Sequence, residues 1–117
     1  MSKLEWEEVH HNTEIGSTDN LCDIVSYETN IEIKHGDDVI FAVGASVFVE
    51  TDTITGEQII TGSYSPQGEY RDVYIPLNGA DTKYASIDEA KSACENKIGE
   101  ILCHLYGKLV AIVCKFS

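Results

Sequence analysis

The chain has 117 residues, 43% hydrophobic and 24% charged, and a formal net charge of −12. That length suits one domain, 1–117, with a single modest core, and the composition is that of an ordinary globular protein. Two prolines, no low-complexity run, no internal repeat and no apolar stretch near the ~20 residues of a membrane span argue against a disordered chain, a repeat array and a membrane-spanning helix.

In chain order, Leu4, Trp6 and Glu8 alternate with Glu5, Glu7 and Val9, which predicts a short first strand. Residues 10–20 are polar, contain Gly16 and Ser17, and read as a loop. Val25, Tyr27, Thr29, Ile31 and Ile33 then alternate with Ser26, Glu28, Asn30, Glu32 and Lys34, a period of two with β-branched side chains on one side. After a turn at His35-Gly36-Asp37-Asp38, residues 39–49 form a strand apolar on both faces and hence central, with a bulge expected at Gly44. Turns at Thr55-Gly56 and at 65–68 bound a returning strand over 58–63, and a further strand over 70–77 ends at Pro76 and Asn78-Gly79.

The period then changes. Ser86-Ile87-Asp88-Glu89 is a capping box, and Ile87, Ala90, Cys94, Ile98, Ile101 and Leu105 recur at steps of three and four. This predicts an amphipathic helix over about 86–106 with Gly107 as its C′ residue. Residues 109–116, apolar on both sides, read as an interior C-terminal strand. The fold class is α+β: a mostly antiparallel meander of five to six strands with one helix packed on it.

Charge is distributed unevenly over these elements. The first sixty residues hold thirteen carboxylates against two lysines, Lys3 and Lys34, whereas the last fifty-seven hold seven carboxylates and six basic residues. Residues i and i+2 of a strand point the same way, about 6.6 Å apart. Glu5 with Glu7, Glu28 with Glu32, and Glu50 with Asp52 therefore fall on outward faces, and Asp37 and Asp38 sit at the turn between two of those strands. If the strands are neighbours, their carboxylates form a lattice comparable with nucleic-acid phosphates, one charge per ~3.4 Å of rise on each strand. Such a face steers a protein toward basic partners. The competing reading is a solvated face that is merely polar, but lysine would serve that purpose equally well and is nearly absent.

Signatures of catalysis and cofactor binding are missing. His10-His11 with Glu14 lies on a loop, and the two histidines would point to opposite sides of a strand, so no metal site is expected. Cys94 and Cys103 are nine residues apart on a helix, about 180° around it, and cannot share a metal with His104. There is no GxGxxG, no Walker-type loop at 62–68, no EF-hand spacing at Asp37-Asp38 and no nucleophile signature. No cofactor and no enzymatic activity are therefore expected. Direct nucleic-acid binding is disfavoured, because the eight basic residues are scattered and Tyr64, Tyr70, Tyr74 and Tyr84 lack interleaved cations. Tyr27, Phe41, Phe48, Tyr70 and Tyr74 are alternative interface anchors, Phe48 foremost, because it lies opposite the Val43–Val47–Val49 set. The four cysteines show no CxxC pair and no disulfide framework. With no basic n-region and apolar h-region at the N-terminus, they read as reduced thiols of a cytosolic protein.

A short Trp-bearing first strand, a meander, a strongly acidic composition and the capped segment Ser86-Ile87-Asp88-Glu89-Ala90-Lys91-Ser92-Ala93-Cys94-Glu95 resemble small phage and prophage accessory proteins of the anti-CRISPR kind. The helix is the only local match and covers about a fifth of the chain, and no motif residue is transferable. The resemblance implies stoichiometric inhibition of a defence nuclease or its nucleic-acid-binding complex by a cytoplasmic protein. Immunity proteins that neutralise toxic nucleases share the size and acidity. A structural phage protein that oligomerises through Phe48 or the C-terminal segment is another possibility, and a homodimer stays open.

Overall fold

The computed structural model describes residues 4–16, 20–66, 75–77 and 83–116. The elements are β1 (Glu7–His10), β2 (Glu14–Ile15), β3 (Leu21–His35), β4 (Asp38–Asp52), β5 (Gln58–Ser65), β6 (Ile75–Pro76) and α1 (Ile87–Lys115). The strands form an antiparallel sheet in the order β1-β3-β4-β5-β6, with β2 also paired to β3. The predicted α+β class, an antiparallel sheet under one helix, is the one observed.

The β3–β4 hairpin is longer than its predicted strands, fifteen residues on each side. Its tip turns on Gly36, whose φ of 63° lies where side chains with a Cβ are strained. β4 lies between β3 and β5, as expected of a strand apolar on both faces. The expected bulge at Gly44 is not there: Gly44 pairs regularly with Asn30 and Ser65. The irregularity falls nearer the tip, where Ile33 pairs with Phe41 but Lys34 with Val39, leaving Ile40 as the extra residue, 66% exposed. The loop over 10–20 contains the two-residue strand β2. Of the strand predicted over 70–77, Tyr70 to Tyr74 lie outside the described residues.

The helix starts as its capping box requires. Ser86 is extended, and its hydroxyl accepts a hydrogen bond from the backbone N–H of Glu89 at 3.1 Å. Asp88 and Glu89 occupy the first turn, which is the positive end of the helix dipole. Ala90, Cys94 and Ile98 are its buried residues, and they close the core against Val43, Ala45, Val47 and Val49 of β4 and Ile60 of β5. Close approach is possible because β5 offers Gly62 there: a Cβ at that position would lie 3.3 Å from Cys94 Sγ and 3.2 Å from Leu77 Cδ1. On the flank, Glu95 accepts hydrogen bonds from the Leu4 backbone N–H at 2.8 Å and Trp6 Nε1 at 3.3 Å. Lys91 lies over the rings of Tyr27 and Trp6 at 4.4 and 5.7 Å. These contacts tie the N-terminal segment to the helix.

The predicted C-terminal strand over 109–116 does not form. The helix runs through Gly107 to Lys115, and the Phe116 N–H closes it on the Val113 carbonyl. Gly107 is not among the glycines with positive φ, so no left-handed cap ends the helix there. A helical glycine costs only about 0.5–1 kcal/mol relative to alanine, too little to stop a helix whose apolar residues keep steps of three and four. A short apolar run reads equally well as strand or helix, and here continuity with the preceding helix decides.

Burial pushes the Cys94 thiol from 9.0 up to about 12, with a smaller push from the Glu95 carboxylate. The unfolded chain loses this proton above pH 9.0 while the fold retains it until about 12. Stability from this group is therefore full below the lower value and falls as pH rises through the interval. Urea titrations should show that loss in the wild type but not in Cys94→Ala, whatever its starting stability. A thiol reagent should label Cys103 and Cys114, which are exposed, well before the buried Cys22 and Cys94. Ile98→Ala should cost about 2–5 kcal/mol in urea unfolding, because it empties a site that is 2% exposed.

Candidate functional site

With the helix on one face, the pleat assigns alternate residues of each strand to the other. The register runs Glu7 beside Glu28, Glu28 beside Ser46, and Ser46 beside Ser63, so one row crosses four strands. Glu32 and Glu50 share this face: Glu32 is four residues along β3 from Glu28, and Glu50 is four residues along β4 from Ser46. The structure thus puts Glu7, Glu28, Glu32 and Glu50 on one face of three adjacent strands, with Glu32 and Glu50 eight register positions, or about 26 Å, apart.

Glu7 and Glu28 are direct cross-strand partners, which puts their Cβ atoms about 4.5–5.5 Å apart. Two like charges so placed destabilise a sheet. Lys34 pairs with Glu32 at 3.5 Å toward the hairpin tip, and the Ser26 hydroxyl lies 3.5 Å from a Glu28 carboxylate oxygen. Between the carboxylates the face is built of small residues, Ala42, Gly44, Ser46, Ser63 and Ser65, all buried. The Ser46 and Ser63 hydroxyls are buried with no hydrogen-bond partner among the described residues. Glu28, Glu32 and Glu50 are themselves half-buried, and Gly16 lies against Cys22 and Glu50 on this side.

The other residues singled out in the sequence are elsewhere. Glu5 precedes β1 and is exposed; its backbone carbonyl accepts a hydrogen bond from Thr29 Oγ1 at 2.7 Å. Asp37 and Asp38 are exposed at the hairpin tip, about 23 Å of strand beyond Glu28 but only three register positions, or about 10 Å, beyond Glu32. There they line an open groove of about 570 Å³ with Val39, Ile40, Phe41, Ala42 and Pro66. Asp52 is set apart from the exposed carboxylates. It is 2% exposed, and its oxygens accept hydrogen bonds from the Ile54 and Thr55 N–H groups and from Asn20 Nδ2. It builds the β4–β5 turn, as aspartate at the first position of a turn commonly does.

Phe48 falls on the face opposite the helix as expected, but it is only half exposed, and the His11 ring lies 6.3 Å away. His11 also hydrogen-bonds the Ser26 hydroxyl at 2.8 Å, whereas His10 pairs with Glu8 at 3.1 Å. The part of His11 in covering this face has no local sequence signal, because it depends on the β1–β3 register. Tyr27 and Phe41 pack partly against the core. Among the described residues, no group of three His, Cys, Asp or Glu could hold a metal ion, and no helix is long and apolar enough to cross a membrane.

No family model matches the chain, and neither a curated protein nor a solved structure is significantly similar to it.

The like-charge pair allows a test that needs no partner. Glu7→Lys converts the contact with Glu28 into an attractive one and should stabilise the protein by about 0.2–1 kcal/mol at low salt. The gain should shrink in high salt, where exposed charges are screened. Urea unfolding at two ionic strengths measures it, and no gain at low salt would mean that the two carboxylates do not face each other.

Proposed function

We propose that this protein is a non-catalytic inhibitor whose acidic sheet face docks on a basic, nucleic-acid-binding surface of a partner protein. The supporting observation is the placement of Glu7, Glu28, Glu32 and Glu50 on one face of three adjacent strands, with two of them in direct opposition. Holding like charges together costs stability, and a face whose only role was solubility could relieve that cost with a lysine. A basic groove built for phosphates would relieve it instead, and the long-range field would speed the encounter.

The partner that fits is a nuclease or a nucleic-acid-binding complex, and the inhibitor would act in the cytoplasm by occupying its phosphate-binding groove. A phage anti-defence protein of the anti-CRISPR kind and an immunity protein for a toxic nuclease both fit this description. Neither needs a catalytic residue, metal or cofactor, nor direct contact with nucleic acid.

Capture of proteins from the natural host's lysate, with salt-gradient elution, tests the proposal. A nuclease or nucleic-acid-binding complex should elute at moderate salt and be displaced by added nucleic acid. Glu28→Lys with Glu32→Lys should slow association and flatten its salt dependence. Unchanged binding of that double variant at low salt would defeat the acidic-face reading.

A further inference from the structure

We propose that the C-terminal half of α1 pairs with the same segment of a second copy of this chain, the two helices running antiparallel. The inference is independent of the acidic face. From Cys103 to Phe116 every residue except the half-buried Leu105 is exposed, although the segment includes Tyr106, Leu109, Val110, Ile112, Val113 and Phe116. Tyr106 is 71% exposed, Val113 61% and Phe116 85%. A helical segment of this length is marginal in water without a partner, and one apolar on most sides is normally buried.

The spacing indicates what kind of partner fits. Leu102, Leu105, Leu109, Ile112 and Phe116 advance by three, four, three and four residues, the 3.5-residue repeat of a helix that packs along another helix. Antiparallel pairing sets Leu105 against Leu109 and Leu102 against Ile112 of the other copy, in a register that is its own two-fold image. Tyr106 then flanks the seam beside its own counterpart. The two Lys108 stems cover the seam from the other side, with their ammonium groups in water.

Area and charge favour a second copy over other occupants. Tyr106 and Phe116 alone expose on the order of 300 Å², since an aromatic side chain buries roughly 150–250 Å². Leu109, Ile112 and Val113, on or beside the seam, bring this to roughly 600 Å², the lower end of what each partner of a stable interface buries. Residues 101–116 contain no carboxylate and two lysines, Lys108 and Lys115, while the rest of the chain carries the acidic excess. Antiparallel pairing holds the two acidic bodies apart and brings Lys115 of one copy toward the Glu100 end of the other. An anionic membrane surface would repel a chain of net charge −12.

Sedimentation equilibrium of the full chain should show a reversible monomer–dimer equilibrium that persists in high salt. Leu109→Glu with Ile112→Glu should raise the dimer dissociation constant on the order of 100-fold. Slow labelling of Cys94 and cooperative urea unfolding should survive, because the substituted positions lie outside the core. Leu109→Ala should weaken the dimer less, and serves if the double variant fails to fold. With Cys103 and Cys114 replaced by serine, a short thiol crosslinker should join Leu105→Cys chains to Leu109→Cys chains and neither kind to itself. A monomer at several hundred micromolar, a dimer unaffected by the double substitution, self-crosslinking of Leu109→Cys, or monomeric binding to phosphatidylserine vesicles would each overturn the proposal.

Discussion

Everything in this protein is arranged around β4, a strand apolar on both faces, hydrogen-bonded along one edge to β3 and, from Gly44 to Thr51, along the other to β5. Its Val43, Ala45, Val47 and Val49 make the floor on which the helix settles. Its alternate residues, Ala42, Gly44, Ser46 and Phe48, lie on the opposite face. The helix docks where β5 presents a glycine, and Leu4 and Trp6 dock on the helix through Glu95. A change to β4 would therefore alter the core and the acidic face together.

The electrostatics follow from the same strand order. Because β1 joins β3 rather than a distant edge, Glu7 comes to face Glu28, and short-range repulsion is built into the sheet. Repulsion at this distance is weak for solvated groups and falls with salt. The fold tolerates it because the apolar face beneath is well closed by Ala90, Cys94 and Ile98. What is a small liability for the isolated chain is a large field for a cationic partner, since several carboxylates add at a distance where single pairs do not matter.

Much of this was legible in the residues. The period of two in β3, the two-sided apolar pattern of β4, the turn at Gly36 and the capping box at Ser86 each report on a local interaction, and each led to the right element. The errors arose where the outcome depends on something distant or on a competition between close alternatives. Residues 109–116 satisfy a strand and a helix equally in isolation, and only continuity across Gly107 decides between them. Asp52 has the same composition signal as Glu50, yet the β4–β5 turn and Asn20 capture it. Glu5, Asp37 and Asp38 are exposed, as their sequence context suggested, but the lengths of β3 and β4 separate the aspartates from Glu28 and Glu50 and leave only Glu32 near them. No local pattern could report that Glu7 and Glu28 are partners, because that depends on sheet order.

The two-residue strand β6 has a consequence for assembly. Among the described residues the sheet ends on that side at Ile75–Pro76, and Pro76 has no N–H to offer a further strand. On the opposite border, β1 carries Glu7 and Glu8, whose charges discourage another strand from adding there. Sheets that leave a long neutral margin can accrete copies without limit, as fibrils do. Among the described residues β1 covers β3 only over Val25–Glu28 and β5 covers β4 only from Gly44, so the bare margins are the two short flanks of the hairpin tip, where Lys34, Asp37 and Asp38 discourage an added strand.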